Sequence, residues 1–431
     1  MVMKTNSGYG DKGNMIKQAV GLFATHMTRN STVMSRLTGK MPAGTAGAES
    51  TIREQSTSHM PIVRCQDLSK GSGDEVTFHL LNPVNAYPIM GSRNAEGRGV
   101  GMNLSEARLR VNQARFPVDM GNVMTSIRSP ADFRRLGRPV AQAMMDRYID
   151  QTKLVAMAGA RGFHINKEWS IPIDTHPDFA EIMVNPVQAP SKNRHFIADG
   201  AGIQPFNVVA GEVDLTTTDQ LKMGVIDGLR AYMEQIALPP PPVIFEGDAA
   251  ATDSPLRVLL VSPAQYSGFA TDPNFRQLQA NSMARAQQAK MHPLFLGDAG
   301  LWNGVLIVKM PKPIRFYSGD TIKYCASATS DTESSCVVPA SFGATFAVDR
   351  AILLGGQALG EALAASDKSA IPFFWSEKEL DHGDKVELLI GAIRGVAKIR
   401  FEVDTGDTGK QITDYGVTVL DTAVPIIGAR M

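Results

Sequence analysis

The chain has 431 residues, of which 43% are hydrophobic and 20% charged, a globular composition that allows roughly two to three packing units. Its 43 Lys and Arg residues balance 43 Asp and Glu residues, which disfavours a dedicated nucleic-acid binder with a strongly positive surface. The three cysteines, Cys65, Cys325 and Cys336, have no CxxC or metal-ligand spacing, so we expect buried thiols in a reducing compartment, without a disulfide framework or zinc site.

Residues 1–64 mix Gly, Ser, Thr, Asn and Met, with helical spacing only at Ile16, Val20 and Phe23. Such a segment buries too little apolar area to offset its conformational entropy, so we expect an extended arm that gains order on another surface. No apolar run suits a signal peptide, and nowhere do eighteen apolar residues follow one another. The sequence therefore predicts a soluble, intracellular protein without membrane contact.

The next segment predicts a long β-hairpin. "DEVTFHLL", from Asp74, alternates apolar and polar residues, and "LSEARLRVNQARF" alternates again, with Leu109 and Val111 on one face and Arg108 and Arg110 on the other. Between them lies "GSRNAEGRGVGMNL", which is rich in glycine and arginine. A phosphate-binding loop joins a strand directly to a helix, whereas these glycines lie between two strands. We therefore interpret them as the tip of a projecting arm.

A long helix follows. Ser129 to Asp132 has the residues of a helix start, and Pro139 is expected to interrupt the helix and restart it. From there "PVAQAMMDRYIDQTKLVAMAGARG" predicts one long helix that ends at a glycine. Its expected apolar face consists of Val140, Met144, Tyr148 and Val155.

The middle of the chain predicts one irregular region and a second helix. Residues 161–210 are rich in Pro, His and Asn and suggest irregular structure. "TTTDQLKMGVIDGLRAYMEQIAL" then predicts a helix, with capping-box character at Thr216 to Asp219 and an end at "PPPP". Its expected apolar stripe is Leu221, Val225, Leu229, Tyr232 and Ile236.

The last part of the chain predicts mainly strands. "LRVLLVSP" (256–263) and "GVLIVK" (304–309) have the continuous apolar character of buried strands. "AILLGGQALGEALAAS" suggests a helix, and "KVELLIG", "VAKIRF" and "YGVTVLDTAV" suggest further strands. Because helices and strands interleave without a regular βαβ period, the predicted class is α+β.

No motif assigns a catalytic, cofactor-binding or metal site. Residues 8–13 match G-x-G-x-x-G without the preceding strand that a dinucleotide site needs, and the P-loop and G-x-S-x-G patterns do not occur. Suitable metal ligands are present at His164, Asp174, His176 and Asp178. His and Asp are, however, equally common in loops, where they form turns. A metal-dependent hydrolase that uses His164, His176 and Asp178 therefore remains an alternative.

The order of these features resembles the Hong Kong-phage fold of tailed-phage and herpesvirus major capsid proteins. "VDLTTTDQLKMGVIDGLRAYM", "HPLFLGDAGLWNGVLIVK", "AILLGGQAL" and "DYGVTVLDTAV" are similar to the N-four-type family of phage major capsid proteins. The resemblance spans most of residues 65–425, and His292 to Val308 is its most specific part. It is weakest across 161–210, which suggests a family-variable insertion.

The resemblance implies a division of the chain into an arm, a projecting loop, a peripheral domain and an axial domain. The implied segments are an N-terminal arm (1–64), an extended-loop hairpin (65–125), a peripheral domain with a spine helix and the possible insertion (126–205), an axial domain (206–300), peripheral strands and a loop (301–339), a return to the axial domain (340–380) and C-terminal peripheral strands (381–431).

The function implied is self-assembly into the icosahedral shell that encloses a tailed phage's double-stranded DNA, with no enzymatic activity and no cofactor. The implied partners are other copies in hexamers and pentamers, possible scaffold, decoration and portal proteins, and packaged DNA only non-specifically. The resemblance also implies a location in the virion capsid after assembly in the host cytoplasm. Another phage structural component, such as a portal, is the remaining alternative.

Some members of the wider fold join subunits by a lysine-to-asparagine amide bond at the loop tip. Here the tip carries Arg93 and Arg98 and no lysine, and a guanidinium stays protonated in proteins. We therefore expect a noncovalent shell in which Arg93, Glu96 and Arg98, together with Arg108 and Arg110, contact an adjacent subunit. The alternative is that these are solvated charges, because exposed ion pairs contribute little.

Overall fold

The computed structural model describes residues 33–39, 59–68, 75–81, 87–99, 101, 104–122, 133–164, 169–200, 202–236, 238–245, 255–270, 300–310, 312–364, 372–404 and 409–426. Their helices and strands interleave in an α+β fold, as predicted. The helices are α1 Val33–Arg36, α2 Phe133–Ala158, α3 Phe179–Met183, α4 Met223–Gln235 and α5 Pro263–Ala270. The predicted helix start at Ser129 and the glycine motif at 8–13 lie outside these residues.

The strands fall into two large sheets and three smaller ones. In chain order they are β1 Ile62–Leu68, β2 Glu75–Leu81, β3 Leu104–Arg110, β4 Asn112–Asn122, β5 His195–Asp199, β6 Gly202–Pro205, β7 Val208–Val209, β8 Glu212–Val213, β9 Arg257–Val261, β10 Gly300–Trp302, β11 Val305–Lys309, β12 Arg315–Tyr317, β13 Thr321–Cys325, β14 Glu333–Val337, β15 Phe346–Leu354, β16 Leu359–Ala364, β17 Phe373–Leu380, β18 Lys385–Lys398, β19 Arg400–Asp404, β20 Lys410–Asp414 and β21 Val417–Pro425.

An eight-stranded sheet forms the centre of the body. Its order is β10-β11-β9-β15-β21-β5-β6, and β12 also pairs with β15. Leu259 on one face packs with α4 residues such as Leu229, whereas Leu260 on the other face packs with the end of α2 at Leu154. Because β9 is buried on both faces, its sequence is a continuous apolar run, and the predicted strands at 256–263 and 304–309 are confirmed.

A five-stranded sheet lies against the long helix α2. β18 is its central strand, flanked by β16 and β17 and also by β4, and β1 pairs in parallel with β16. One face packs on Met145, Tyr148 and Ile149 of α2. The predicted apolar face of α2 is wrong at Val140, which is 50% exposed, while its neighbour Ala141 is buried.

Two details of the predicted helices are corrected. Helix α2 runs through Pro139 without interruption, because Pro139 lies on its exposed side, where water can satisfy the carbonyl that loses its partner. Helix α4 begins at Met223, and Asp219 instead forms a turn whose carboxylate accepts hydrogen bonds from the backbone N–H groups of Thr216 and Gly200. The predicted glycine end of α2 is confirmed at Gly159, which has a φ of +67°.

In the segment 351–366, predicted as a helix, residues 351–364 are instead the end of β15, a turn at Gly355-Gly356 and the whole of β16. A Cβ at residue 355 would lie 2.5 Å from the carbonyl oxygen of Pro241, so only glycine fits there. Both strands are fully buried, and sheet pairing outweighs the local preference of Ala and Leu for helix.

Two further predictions are wrong because segments expected to be irregular belong to the core. In the predicted arm, Met34, Leu37 and Ile62 are fully buried beside α2. Residues 33–39 and 59–64 therefore pack on the body of their own chain. In the predicted irregular region, β5 pairs with β21 inside the eight-stranded sheet. Both segments are short, and their periodicity is too weak to be read locally.

The sheets also cut across the predicted segments. β11, in the segment 301–339, pairs with β9 of the segment 206–300, and β16, in the segment 340–380, pairs with β18 of the segment 381–431. The strands β2 and β3 form a separate two-stranded hairpin. The remaining sheets are β13-β14-β8-β7 and β19-β20.

Candidate functional site

The β2–β3 hairpin forms a two-stranded sheet of its own. Its strands pair in continuous antiparallel register, from Glu75 opposite Arg110 to Leu81 opposite Leu104. Near the root, Val76 and Leu109 face each other and pack with the Cys65 and Ala362 cluster of the body. This contact confirms the predicted strands and the inward direction of Leu109.

The tip of the hairpin lies in water. All residues from 87 to 99 are exposed, and Tyr87 and Met90 have 90% and 72% of their surfaces accessible. Gly91 and Gly97 adopt φ values of +70° and +77°, a left-handed conformation that suits glycine. Large apolar side chains grouped on a projection typically mark a contact surface for another molecule.

The structure describes all three residues predicted at the tip. Arg93, Glu96 and Arg98 are all exposed, and the backbone N–H of Glu96 donates to Oδ1 of Asn94 at 3.1 Å, which shapes the turn that presents them. The tip therefore offers two cations and one anion next to an apolar patch. Their contact with an adjacent subunit stays a prediction.

Arg108 and Arg110 lie towards the root of the hairpin and not at its tip. Arg108 Nη2 is 3.8 Å from Oε2 of Glu106, and Arg110 Nε is 3.7 Å from Oε1 of Glu75. Their side chains are 66% and 73% exposed, so these ion pairs contribute little and leave the guanidinium groups accessible.

The residues of the alternative metal site contact different partners in the structure. His164 Nδ1 lies 2.8 Å from the hydroxyl of Tyr317, whereas His176 lies on an exposed turn with its Nδ1 3.7 Å from Oδ2 of Asp178. Oδ1 of Asp174 accepts from the backbone N–H of Arg161 at 3.3 Å. Within the described ranges, no three His, Cys, Asp or Glu side chains are grouped so that they could hold a metal ion.

A buried carboxylate joins four elements behind the hairpin. Glu361 on β16 contacts Arg64 of β1 at 2.8 Å, Lys153 of α2 at 3.1 Å and Arg394 of β18 at 3.1 Å. Burial alone would raise the pKa of Glu361, but the three cations hold it well below its ordinary value. For Lys153, burial dominates and lowers the pKa to about 8.

Two further buried carboxylates join neighbouring strands. Asp421 of β21 accepts from Arg350 and lies 2.8 Å from Nε2 of His195. Asp414 of β20 contacts Lys398 at 2.8 Å and Arg400 at 2.7 Å. For both carboxylates, burial would raise the pKa, but the neighbouring positive charges lower it below the ordinary range. The Asp421 cluster lies within the eight-stranded sheet, whereas the Asp414 cluster links β18 of the five-stranded sheet to the β19–β20 pair.

Sequence reasoning missed both the ionic clusters and the apolar part of the tip. The partners in the clusters are as much as 297 residues apart, as for Arg64 and Glu361, and nothing local connects them. The apolar tip had a visible signal, since Tyr87 to Met90 is a short "YPIM" run inside a polar loop. The expected burial of Cys65, Cys325 and Cys336 is confirmed.

In the part of the chain that the structure describes, no helix combines the length and the apolar character needed to cross a membrane. No curated protein sequence is significantly similar to the chain.

The fold is similar to several solved phage capsids. The capsid of Ralstonia phage GP4 matches with a TM-score of 0.66 at 20% identity, over 90% of this chain and all of that chain. The capsid of cyanophage Pam1 matches with a TM-score of 0.57 at 14% identity, over 89% and 96% of the two chains. The capsid of Helicobacter pylori bacteriophage KHP30 gives 0.53 at 11% identity, over 90% and 96%.

These likenesses agree with the fold that the sequence resemblance implied. The family model described as phage capsid protein matches residues 6–426, which is nearly the whole length. The chain therefore belongs to the phage capsid protein family.

Proposed function

We propose that this chain is the major capsid protein of a tailed phage, a structural protein without enzymatic activity that self-assembles into the icosahedral shell around double-stranded DNA. The observation that carries the proposal is the family match along nearly the whole chain. The solved capsids with the same fold support it, since they share most of their length with this chain. Their structures are shells, which favours a shell over a portal ring.

The exposed tip of the hairpin is the proposed contact with an adjacent copy. Tyr87 and Met90 expose apolar surface that one chain alone leaves in water, and the exposed charges of Arg93, Glu96 and Arg98 follow them along the loop. An apolar centre with a polar rim is the usual anatomy of a protein–protein interface. The tip would therefore add area to contacts within hexamers and pentamers, while Arg108 and Arg110 would contact a neighbour near the root.

Several contacts of this kind fit a shell built from many copies. Each subunit meets several neighbours, so individually weak contacts sum through avidity and still allow a misplaced subunit to leave. A net charge of +0 suits a container, because a strongly basic lining would bind the packaged genome tightly. Contact with DNA is therefore proposed to be non-specific, and scaffold, decoration and portal proteins are proposed as further partners, with assembly in the host cytoplasm.

The division into domains is also a proposal. Helix α2 with the five-stranded sheet fits the spine and peripheral domain, and the eight-stranded sheet with α4 fits the axial domain. The hairpin is the proposed extended loop, whose paired strands are residues 75–81 and 104–110 within the expected segment 65–125. Residues 161–194 remain the best place for a family-variable insertion, because β5 begins at His195.

Electron microscopy of the purified full chain tests the function directly. A capsid protein is expected to form closed shells or hexamer and pentamer lattices, whereas a portal would form closed rings. A solitary monomer under all assembly conditions, with tightly bound stoichiometric metal, would contradict the proposal and favour the hydrolase alternative.

A further inference from the structure

Besides its apolar contacts with the body, the root of the hairpin is bound by one buried amide side chain, that of Asn185. Oδ1 of Asn185 accepts from the backbone N–H of Arg110 at 2.9 Å, and its Nδ2 donates to the carbonyl oxygen of the same residue at 2.9 Å. The Nδ2 group also donates to the carbonyl oxygen of Val396 in β18 at 3.1 Å. Asn185 therefore pairs with Arg110 as a neighbouring strand would and ties it to the five-stranded sheet.

The backbone that presents Asn185 is strained. Val184 has φ 65° and ψ −56°, and the N–H of Asn185 donates to the carbonyl of Met183 at 2.7 Å, so these residues form a γ-turn with positive φ. This conformation is rare for any residue and unfavourable for a β-branched one. The strain is retained where it directs Asn185 towards Arg110.

The backbone of the hairpin also approaches the body closely at Gly395. A Cβ on Gly395 would lie 1.9 Å from the carbonyl oxygen of Arg110 and 2.9 Å from its carbonyl carbon. Backbone cannot retreat as a flexible side chain can, so any side chain at residue 395 displaces the root of the hairpin. Gly395 and Asn185 thus fix the same carbonyl group from two sides.

Open space flanks this attachment. On one side of Asn185 a cavity of about 220 Å³ lies between β3 and β18, lined among others by Arg108, Gln188 and Lys398. On the other side a groove is lined by residues that include Arg110, Glu181 and Val184. Since protein interiors are normally close-packed, the hydrogen bonds of Asn185 are the directed contact between these two open spaces.

We propose that Asn185 is the positioning residue that sets the angle of the hairpin to the body. Val111, between β3 and β4, is the point where the chain leaves the five-stranded sheet, and it follows the residue that Asn185 holds. A change of direction at this root also redirects the paired strands that lead to the tip. The consequence for shell geometry rests on the proposed function, whereas the attachment itself is a property of the single chain.

The test compares wild type, Asn185→Ala, Gly395→Ala and the control Asn193→Ala. Asn193 is a partly buried asparagine, which bonds to Thr413 and Ser191 and not to the hairpin. Amide hydrogen exchange is measured on the unassembled full chain, together with its melting temperature and the diameters of its shells. Asn185→Ala is expected to speed exchange in peptides from 104–111 about tenfold, as for the loss of a protecting hydrogen bond, while most other peptides keep the wild-type rate.

The shell diameters distinguish a positioning role of Asn185 from a general effect on stability. If Asn185→Ala and Asn193→Ala lower the melting temperature equally, only Asn185→Ala should broaden the range of shell diameters, and Gly395→Ala should do the same by displacing Arg110. Unchanged exchange at 104–111, equally faster exchange everywhere, or wild-type diameters in Asn185→Ala would overturn the proposal. Absence of shells from wild type would count against the proposed function, and the exchange rates would still decide whether Asn185 holds the hairpin.

Discussion

Arg350 on β15 grips Asp421 on β21 with two hydrogen bonds, both 2.8 Å long, from Nε and Nη2 to the two carboxylate oxygens. Its remaining nitrogen, Nη1, donates to the carbonyl oxygen of Ala158 at 3.0 Å, at the end of helix α2. A guanidinium is suited to this fork, and a positive charge is favourable at a helix C-terminus. One side chain thereby joins the long helix to the eight-stranded sheet.

Removing this guanidinium should destabilise the chain strongly. Arg350 and Asp421 are both fully buried, so Arg350→Met leaves a carboxylate in the core without its main partner, and we expect a loss of about 3–5 kcal/mol in the free energy of unfolding. Urea unfolding of the unassembled chain measures it. Arg108→Met, which breaks an exposed pair, should change stability by less than about 0.5 kcal/mol. Equal losses in the two variants would contradict the assigned role.

The stability of the chain should decrease as the pH falls below neutrality. Burial, with a smaller effect of Arg350 and Lys398, lowers the pKa of His195 to about 4 from its ordinary 6.5, despite the opposing effect of Asp421. Between these values the unfolded state binds a proton that the folded state does not, so stability falls as pH decreases from 6.5 to 4. At lower pH the buried carboxylates, whose pKa values are lowered, add a further loss.

His195→Gln isolates the first of these effects. The variant should flatten the dependence of the melting temperature on pH between 6.5 and 4, whereas the exposed control His382→Gln should keep the wild-type slope. A wild-type slope in His195→Gln would show that other groups are responsible.

Gly159 should be intolerant of any side chain. It has φ +67°, its N–H donates to the carbonyl of Val155, and an added Cβ would lie 2.5 Å from the carbonyl oxygen of Gln188. Gly159→Ala is therefore expected to cost at least about 2 kcal/mol from left-handed strain and backbone overlap. Gly200→Ala, at φ +58° with nothing within 4 Å, should cost only about 1 kcal/mol. Similar losses of melting temperature at the two sites would refute this account.

Substitution of the apolar tip should separate folding from assembly. Met90 is 72% exposed and Tyr87 90% exposed, so Tyr87→Ser with Met90→Ser should leave the melting temperature of the unassembled chain unchanged. Each side chain buried between copies contributes about 1–3 kcal/mol, so we expect at least a tenfold rise in the concentration needed for shells. Light scattering at graded concentrations measures this rise. Assembly at the wild-type threshold would rule out the tip as an apolar contact.

The shells should dissociate completely in denaturing detergent. The tip offers Arg93 and Arg98, whose guanidinium groups stay protonated and cannot attack an amide, and it contains no lysine. Purified shells boiled in detergent should therefore migrate as single chains in an electrophoresis gel. A ladder of covalent multimers would disprove noncovalent assembly.

Local sequence patterns were sufficient where one element determines its own environment. The alternation around Val76 and Leu109 predicted the hairpin, and the apolar run 256–263 predicted a strand buried on both faces. The stripe of α4 was correct at Val225 and Leu229, although Tyr232 is 36% exposed. In these cases the period of apolar residues alone predicts which face of the helix or strand is buried.

Long-range contacts decided the rest. The segment 351–366 has helix-forming residues, yet β9 and β21 on either side of β15, and β1 and β18 on either side of β16, make it a pair of strands. The sequence predicts that Met34 and Leu37 belong to an arm, but in the structure they are buried against α2. A local sequence pattern cannot predict such neighbours, because they come from distant parts of the chain.

The sequence by itself determined the α+β class and the exposed position of the glycine-rich tip, since both follow from the order and period of residues along the chain, and its motifs resemble the family that the match over residues 6–426 shows. Only the tertiary structure decided which charges are paired in the core and how the hairpin is attached. Asn185 and Arg110 are 75 residues apart, and their hydrogen bonds exist only because the γ-turn at Val184 and the absence of a side chain at Gly395 bring two backbones together. Directed polar contacts of this kind depend on distances that a linear pattern does not contain.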